Sequence, residues 1–147
     1  MSFYRFHELV LRPLFHNFKS LNETAFESQK LWSAYIDVNK QYAKLATEHL
    51  HNDKKDLLWV HDTYMLLVPY FLRTQNINAK IGLSLHAPFP SSDIYKTFLY
   101  RNEVLKAMMC CDLISFHIFE SAKCFYVSAS RTLGCNTVFK KGGVIVV

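Results

Sequence analysis

Leu57-Leu58-Trp59-Val60-His61-Asp62 and Lys80-Ile81-Gly82-Leu83-Ser84-Leu85-His86 are the stretches on which the architecture turns. Leu57–Val60 and Lys80–Leu85 are short, mostly apolar runs without regular polar alternation, the pattern of strands buried on both faces of a parallel sheet. Asp112-Leu113-Ile114-Ser115-Phe116-His117 repeats the arrangement. In all three an imidazole follows the apolar run directly.

Helical patterns fill the spaces between these runs. Met65 to Arg73 reads as a helix, with Pro69 either in its early turns or at a kink. Pro88 and Pro90 stop the second strand, and Ser91, Ser92 and Asp93 are good N-caps for one helix running through Tyr95, Leu99, Val104 and Met108. Phe119 to Leu133 is a further helix, closed by Gly134. Lys140 to Gly143 then turns into a last strand, Val144-Ile145-Val146-Val147. Ahead of the first strand, Leu31, Tyr35, Val38, Tyr42, Leu45 and His49 recur at three- and four-residue steps, the core face of a long helix. Thr24 and Glu27 offer it a capping box, and it should stop near His51-Asn52-Asp53. Alternating strands and helices imply right-handed crossovers and an α/β fold: a Rossmann-like, mainly parallel sheet with helices on both faces.

Composition bounds the rest. A chain of 147 residues fits one domain, and two full Rossmann-type domains do not fit. Half of its residues are hydrophobic and 20% are charged, so a packed core is expected rather than disorder. The net charge of +5 is spread out, with only the short pairs Lys54-Lys55 and Lys140-Lys141, which argues against nucleic acid. It suits solubility, and would also suit small anionic ligands. No apolar run approaches the roughly 18 residues of a membrane span. Cys110, Cys111, Cys124 and Cys135 form no C-x-x-C pair and have no His at zinc-ligand spacing, so neither metal nor cofactor is expected. Reduced thiols in the cytoplasm are the natural reading, with Cys110 and Cys111 packing inward at a helix end. An aromatic start at Phe3, Tyr4 and Phe6 and a strand at the other end give the expectation that both ends are cut from a longer domain.

Ligands of open α/β sheets bind outside the carboxyl ends of the strands. His61-Asp62, His86 and His117 all fall there. Taken singly, Asp62 could simply cap the following helix, and His86 could bridge hydrogen bonds beneath the two prolines.

Longer motifs narrow the choice. Trp59-Val60-His61-Asp62-Thr63-Tyr64-Met65-Leu66-Leu67-Val68-Pro69 resembles W-V-H-D-Y-H-L-M-L-L-P of the trehalose-6-phosphate synthases. Leu85-His86-Ala87-Pro88-Phe89-Pro90-Ser91-Ser92-Asp93-Ile94-Tyr95 is similar to that family's L-H-x-P-F-P-S-S-E-I-[FY]. Leu11 to His16 resembles L-W-P-L-F-H, and Trp32 to Asn39 resembles W-x-A-Y-x-x-V-N. Asp112 to His117 follows D-L-I-G-F-[HQ], and Ser130 to Gly134 follows S-R-x-L-G. The matches are collinear, span nearly the whole chain and look closest to the plant-type synthase/phosphatase-like members.

The resemblance implies that residues 1–147 are a partial N-terminal, acceptor-side domain of a two-domain glycosyltransferase of the B type, the C-terminal UDP-binding domain lying outside it. It implies transfer of glucose from UDP-glucose to glucose 6-phosphate with retention, His86 contacting the donor glucose and Asp62 the acceptor's hydroxyls. A neutral imidazole offers one donor and one acceptor, and a carboxylate accepts from two hydroxyls, so both suit a polyhydroxylated ligand. His117, where the family also takes Gln, suits a ligand contact or a core position equally.

Departures from the pattern bear on activity. Arg12 stands where the family has a tryptophan lining the acceptor site, and Phe3 where it has a phosphate-binding tyrosine. A solvated surface charge is the expected role of Arg12, bidentate phosphate contact the alternative. Thr63 and Tyr64 replace Y-H, a drift that suggests relaxed constraints. The chain is therefore expected to be inactive alone, active only with the missing parts or beside full-length synthase subunits. The alternative is a non-catalytic regulatory module of trehalose metabolism. An unrelated Rossmann-type nucleotide binder is disfavoured, since no strand is followed by G-x-G-x-x-G.

Overall fold

A computed structural model describes residues 2–17, 25–50, 55–140 and 143–146. It opens with a continuous helical run: α1 (Ser2–Phe6), a π-helical turn (His7–Leu11) and α2 (Arg12–Phe15). The Arg12 amide reaches back to the His7 carbonyl, five residues away. Pro13 falls in the first turn of α2, where its missing N–H is not needed.

The long helix is α3 (Ala25–His49). Thr24 and residues 51–54 lie outside the described residues, and Glu27, the other half of the expected capping box, accepts from Arg5 Nη2 at 2.9 Å. Leu31 and Tyr35 are buried as the spacing requires, but the buried face then continues through Asn39 and Ala43, while Tyr42 and Leu45 are about half exposed. A polar residue holds the core position. Apolar periodicity misplaced this face because Asn39 is buried for its hydrogen bonds, described below.

Three parallel strands follow in the order β1 (Leu57–His61), β2 (Lys80–Leu85), β3 (Leu113–Phe116). Trp59 pairs with Gly82, which pairs with Leu113, and Leu85 pairs with Phe116. Val60, Ile81, Leu83 and Leu85 are buried. The expectation that β1 is buried on both faces is corrected: Leu57 is 61% and Trp59 40% exposed, because β1 borders the sheet and this face is open among the described residues. Trp59 folds over the sheet instead. A Cβ on Gly82 would come within 2.5 Å of its ring, and its Nε1 donates to Ser84 Oγ at 2.9 Å.

The helix expected from Met65 starts later, as α4 (Val68–Thr74), with Pro69 in its first turn and no kink. The single helix expected after Ser91 is two, α5 (Ser92–Tyr95) and α6 (Arg101–Met108). Ser91 takes the cap position without a side-chain cap bond. Phe98 and Tyr100 are both buried, yet two residues on one helix point about 200° apart. Burying both requires the break.

α7 (Phe119–Leu133) has the expected bounds, and Gly134 adopts φ 71°, the left-handed conformation that ends it. The last strand does not extend the parallel sheet. β4 (Thr137–Lys140) and β5 (Gly143–Val146) form a separate antiparallel pair, since two intervening residues allow a hairpin but no crossover. Cys110 and Cys111 follow α6, half-buried, and burial pushes the Cys111 thiol up to about 12. No described helix is long and apolar enough to cross a membrane.

Candidate functional site

Parallel register brings the three strand tips to one edge. His61 Nδ1 lies 3.2 Å from His86 Nε2, and His86 Nδ1 lies 2.8 Å from His117 Nε2. The His61 and His86 rings are nearly parallel, 8° apart with centroids at 5.5 Å. All three are exposed, which places His117 at the surface rather than in the core. In each contact one nitrogen must donate and the other accept, so neutral rings share one tautomeric direction along the row.

Asp62 follows His61 with φ 57°, a left-handed conformation that Asp tolerates better than most residues. Its N–H donates to the Ser84 carbonyl at 2.8 Å, adding one rung to the ladder before the chain turns away. Its Oδ1 accepts a long hydrogen bond, 3.4 Å, from the Ala87 N–H. The turn from Asp62 to Leu67 is held from behind by α3. Tyr35 OH donates to the Thr63 carbonyl at 2.7 Å and accepts from the Leu66 N–H at 3.2 Å. Asn39 donates to the Tyr35 and Tyr64 carbonyls and accepts from the Leu67 N–H. These bonds explain a buried Asn on an otherwise apolar face.

A cleft of about 240 Å³ opens between this turn and the N-terminal helical run. Asp62, Thr63 and Tyr64 form one wall, His7, Glu8, Arg12 and His16 the other, and Ala87 also lines it. Glu8, Arg12 and His16 also line a second recess, together with Pro13. Of the two residues expected to contact sugars, Asp62 thus lines the cleft, while His86 stands beside it at the centre of the imidazole row. The two are joined through Ala87, the neighbour of His86, and Asp62 Oδ1.

A hydrogen-bonded chain runs along the cleft wall. Thr63 Oγ1 is 2.8 Å from His7 Nε2, His7 Nδ1 is 3.1 Å from Glu8 Oε1, and Arg12 Nη1 donates to Glu8 Oε2 at 2.6 Å. His7 is buried beneath the Tyr64 ring, with centroids at 3.7 Å and planes 14° apart. The Arg12 guanidinium, and then His7, hold the Glu8 carboxyl below its ordinary range. Arg12 is exposed, as its sequence reading expects, but it borders the cleft rather than bulk solvent alone. Phe3 packs its ring along Tyr35, centroids 5.8 Å apart, behind the turn.

Sequence reading missed His7 and Glu8. The i,i+4 spacing of Glu8 and Arg12 on a helix was a usable signal; His7 gave none, since its partner Thr63 is 56 residues away. Among the described residues no cluster of three or more His, Cys, Asp or Glu has the geometry to hold a metal ion.

Comparison with known proteins gives the chain's family. The UDP-forming alpha,alpha-trehalose-phosphate synthase 5 of Arabidopsis thaliana is 42% identical over 137 residues, covering 91% of this chain and 16% of the relative. The Candida albicans UDP-forming synthase is 40% identical over 130 residues, covering 86% of this chain and 26% of the relative. The chain therefore spans roughly a sixth to a quarter of these proteins. Among solved structures, the N-terminal domain of Candida albicans trehalose-6-phosphate phosphatase superposes with a TM-score of 0.85 at 31% identity, covering 99% of this chain and 31% of that one. A UDP-forming synthase of Burkholderia xenovorans gives 0.86 at 29%, with 99% and 31% covered. The fold is thus that of the N-terminal part of B-type trehalose-phosphate synthases. With the glycosyltransferase family 20 pattern matched over residues 2–146, the chain belongs to glycosyltransferase family 20.

Proposed function

We propose that this chain supplies the acceptor-side walls of an enzyme transferring glucose from UDP-glucose to glucose 6-phosphate, with Asp62 accepting from hydroxyls of the acceptor and His86 contacting the donor glucose. The single observation that carries this reading is the convergence of strand tips: Asp62, fixed by the ladder and by α3, faces a sugar-sized cleft beside the imidazole row. One relative in the structural comparison, from E. coli, is described as bound with UDP-2-fluoro glucose, and it superposes with a TM-score of 0.83 at 26% identity.

In such a transfer the protein positions two sugars and stabilises developing charge rather than supplying a nucleophile. Arg12 is the one Lys or Arg lining the cleft among the described residues, and it is paired with Glu8. The described residues offer the departing diphosphate no further cation at the cleft, so the chain is expected to bind sugar without turnover by itself. Arg12, standing where the resemblance expects a tryptophan and paired with Glu8, also favours a second reading: a module that keeps the sugar cleft for regulation within trehalose metabolism, beside full-length synthase subunits.

The test is titration of the chain with UDP-glucose and with glucose 6-phosphate, followed by a coupled assay for UDP release. Weak binding without turnover is expected, lost in His86→Ala and Asp62→Ala while the circular dichroism spectrum is unchanged. Turnover by the chain alone, or sugar binding indifferent to both substitutions, overturns the proposal.

A further inference from the structure

His86 is the middle member of the imidazole row, and both of its nitrogens are engaged. Nε2 lies 3.2 Å from His61 Nδ1, and Nδ1 lies 2.8 Å from His117 Nε2. A neutral imidazole has one donor and one acceptor and no third site in its plane. His86 therefore meets a sugar hydroxyl only by releasing one of its two neighbours, and the strands decide which.

His86 and His117 each follow the last paired residues of β2 and β3, Leu85 and Phe116, so they stand directly across from one another. His61 is in register with Ser84, two residues before His86, and reaches His86 on the diagonal. Neighbouring strands stand about 4.8 Å apart and each residue adds about 3.3 Å along a strand, so that diagonal spans about 8 Å between backbones. The contacts follow the same order: the one to His117 has the length of a good hydrogen bond, and the one to His61 is at the long end. Two residues back, hence on the same face of the sheet, Ser84 Oγ lies 2.7 Å from Ser115 Oγ and ties the same two strands beneath the His86–His117 pair.

We infer that His117 is a positioning residue that anchors His86 through Nδ1, and that His61 is a removable cover on Nε2, the nitrogen that the donor sugar meets. This rests on the reading above that His86 contacts the donor glucose, and adds which nitrogen does so and which neighbour gives way. With Nδ1 anchored, one exchange of hydrogen bonds frees the ligand-facing nitrogen while the ring keeps its orientation. His61 competes with the sugar for that nitrogen. All three rings are exposed, so the exchange needs no opening of the core.

The experiment follows the His86 ring nitrogens in the full chain by nitrogen NMR of isotope-labelled histidine, at mildly alkaline pH where imidazole is neutral, before and during titration with UDP-glucose. His61→Phe and His117→Phe keep a ring and remove its nitrogens, while His117→Gln restores a donor and an acceptor without the ring. Without ligand, the Nδ1 signal moves in His117→Phe and returns toward its original place in His117→Gln. UDP-glucose then shifts Nε2 and leaves Nδ1 in the unsubstituted chain. Its affinity rises about threefold in His61→Phe, falls about fivefold in His117→Phe and recovers in His117→Gln, the size of one exchanged hydrogen bond. If Nδ1 ignores His117→Phe, if UDP-glucose shifts Nδ1 instead of Nε2, or if His61→Phe weakens binding, the inference is overturned while a sugar contact at His86 stands. If UDP-glucose moves neither nitrogen in the unsubstituted chain, the sugar-contact reading itself fails and the inference goes with it.

Discussion

Tyr35→Phe tests whether α3 holds the Asp62 turn in place. The substitution removes one oxygen and no ring volume, so the contacts of Tyr35 with Phe3, Phe6 and Trp32 persist and no cavity opens. What is lost is the donor to the Thr63 carbonyl at 2.7 Å and the acceptor for the Leu66 N–H at 3.2 Å, both at buried residues. A buried polar group left without a partner costs about 1 to 3 kcal/mol, and two such groups give about 2 to 6 kcal/mol. At about 3 °C per kcal/mol for a chain of this size, Tm falls by about 6 to 18 °C. Tyr95→Phe is the control: the Tyr95 hydroxyl, on an equally buried side chain, donates only to the Arg101 carbonyl at 3.1 Å, and its removal costs about 1 kcal/mol. Urea titration followed by circular dichroism measures both, and amide exchange at Leu66 reports the local loss. Equal destabilisation by the two substitutions, with Leu66 protection unchanged in Tyr35→Phe, refutes the idea that this hydroxyl organises the turn.

Arg73→Met should destabilise by about 3 kcal/mol in the same titration, since Arg73 donates to the Cys110, Ile77 and Ala79 carbonyls and to Asp112 Oδ2; Arg73→Lys recovers only part, because an ammonium cannot reach all four. Gly134→Ala should lower stability by about 1 kcal/mol from its left-handed backbone alone, since a Cβ there meets nothing within 4 Å; no change in Tm would show that α7 ends without needing that conformation. Cys111, raised from 9.0 to about 12 by burial, should resist iodoacetamide at pH 9 in the folded chain and react in urea. The unfolded chain sheds that proton first, so this contribution to stability is intact below pH 9 and declines as pH rises from 9 toward 12; urea midpoints that are flat over that interval count against it.

Strands and termini with strong local signals were legible. Lys80–Leu85 and Phe119–Leu133 match their expected bounds, the first because an apolar run ends at two prolines, the second because Gly134 stops it. The polar edge of His61-Asp62, His86 and His117 was legible for the same reason, since parallel strands of a known direction put their ends together. Features set by distant partners were not. Asn39 reads as a break in an apolar face until the amides of the 62–67 turn are opposite it. The split between α5 and α6 depends on Phe98 and Tyr100 both finding the core. The exposed flank of β1 depends on its place in the sheet, which the run Leu57–Val60 does not encode by itself.

Arg12, Thr63, Tyr64 and Phe3 read in sequence as scattered departures from the trehalose-6-phosphate synthase pattern, and scattered departures suggest relaxed constraint. In space they are contiguous. Arg12 pairs with Glu8, Glu8 with His7, and His7 with Thr63, while Tyr64 covers His7 and the Phe3 ring lies 6.1 Å from that of Tyr64. Arg12 and Thr63 each hydrogen-bond one member of the His7–Glu8 pair, around a buried imidazole. An unmatched His7 would cost about as much as any buried polar group without a partner, and Thr63 Oγ1 is what prevents that. The cleft wall thus admits two views, a connected unit that serves the cleft or a decayed one. Thr63→Val separates them: by removing the partner of His7 Nε2 at nearly constant volume, it should loosen the His7–Glu8–Arg12 chain and weaken sugar binding, whereas a decayed wall would register only a loss of stability.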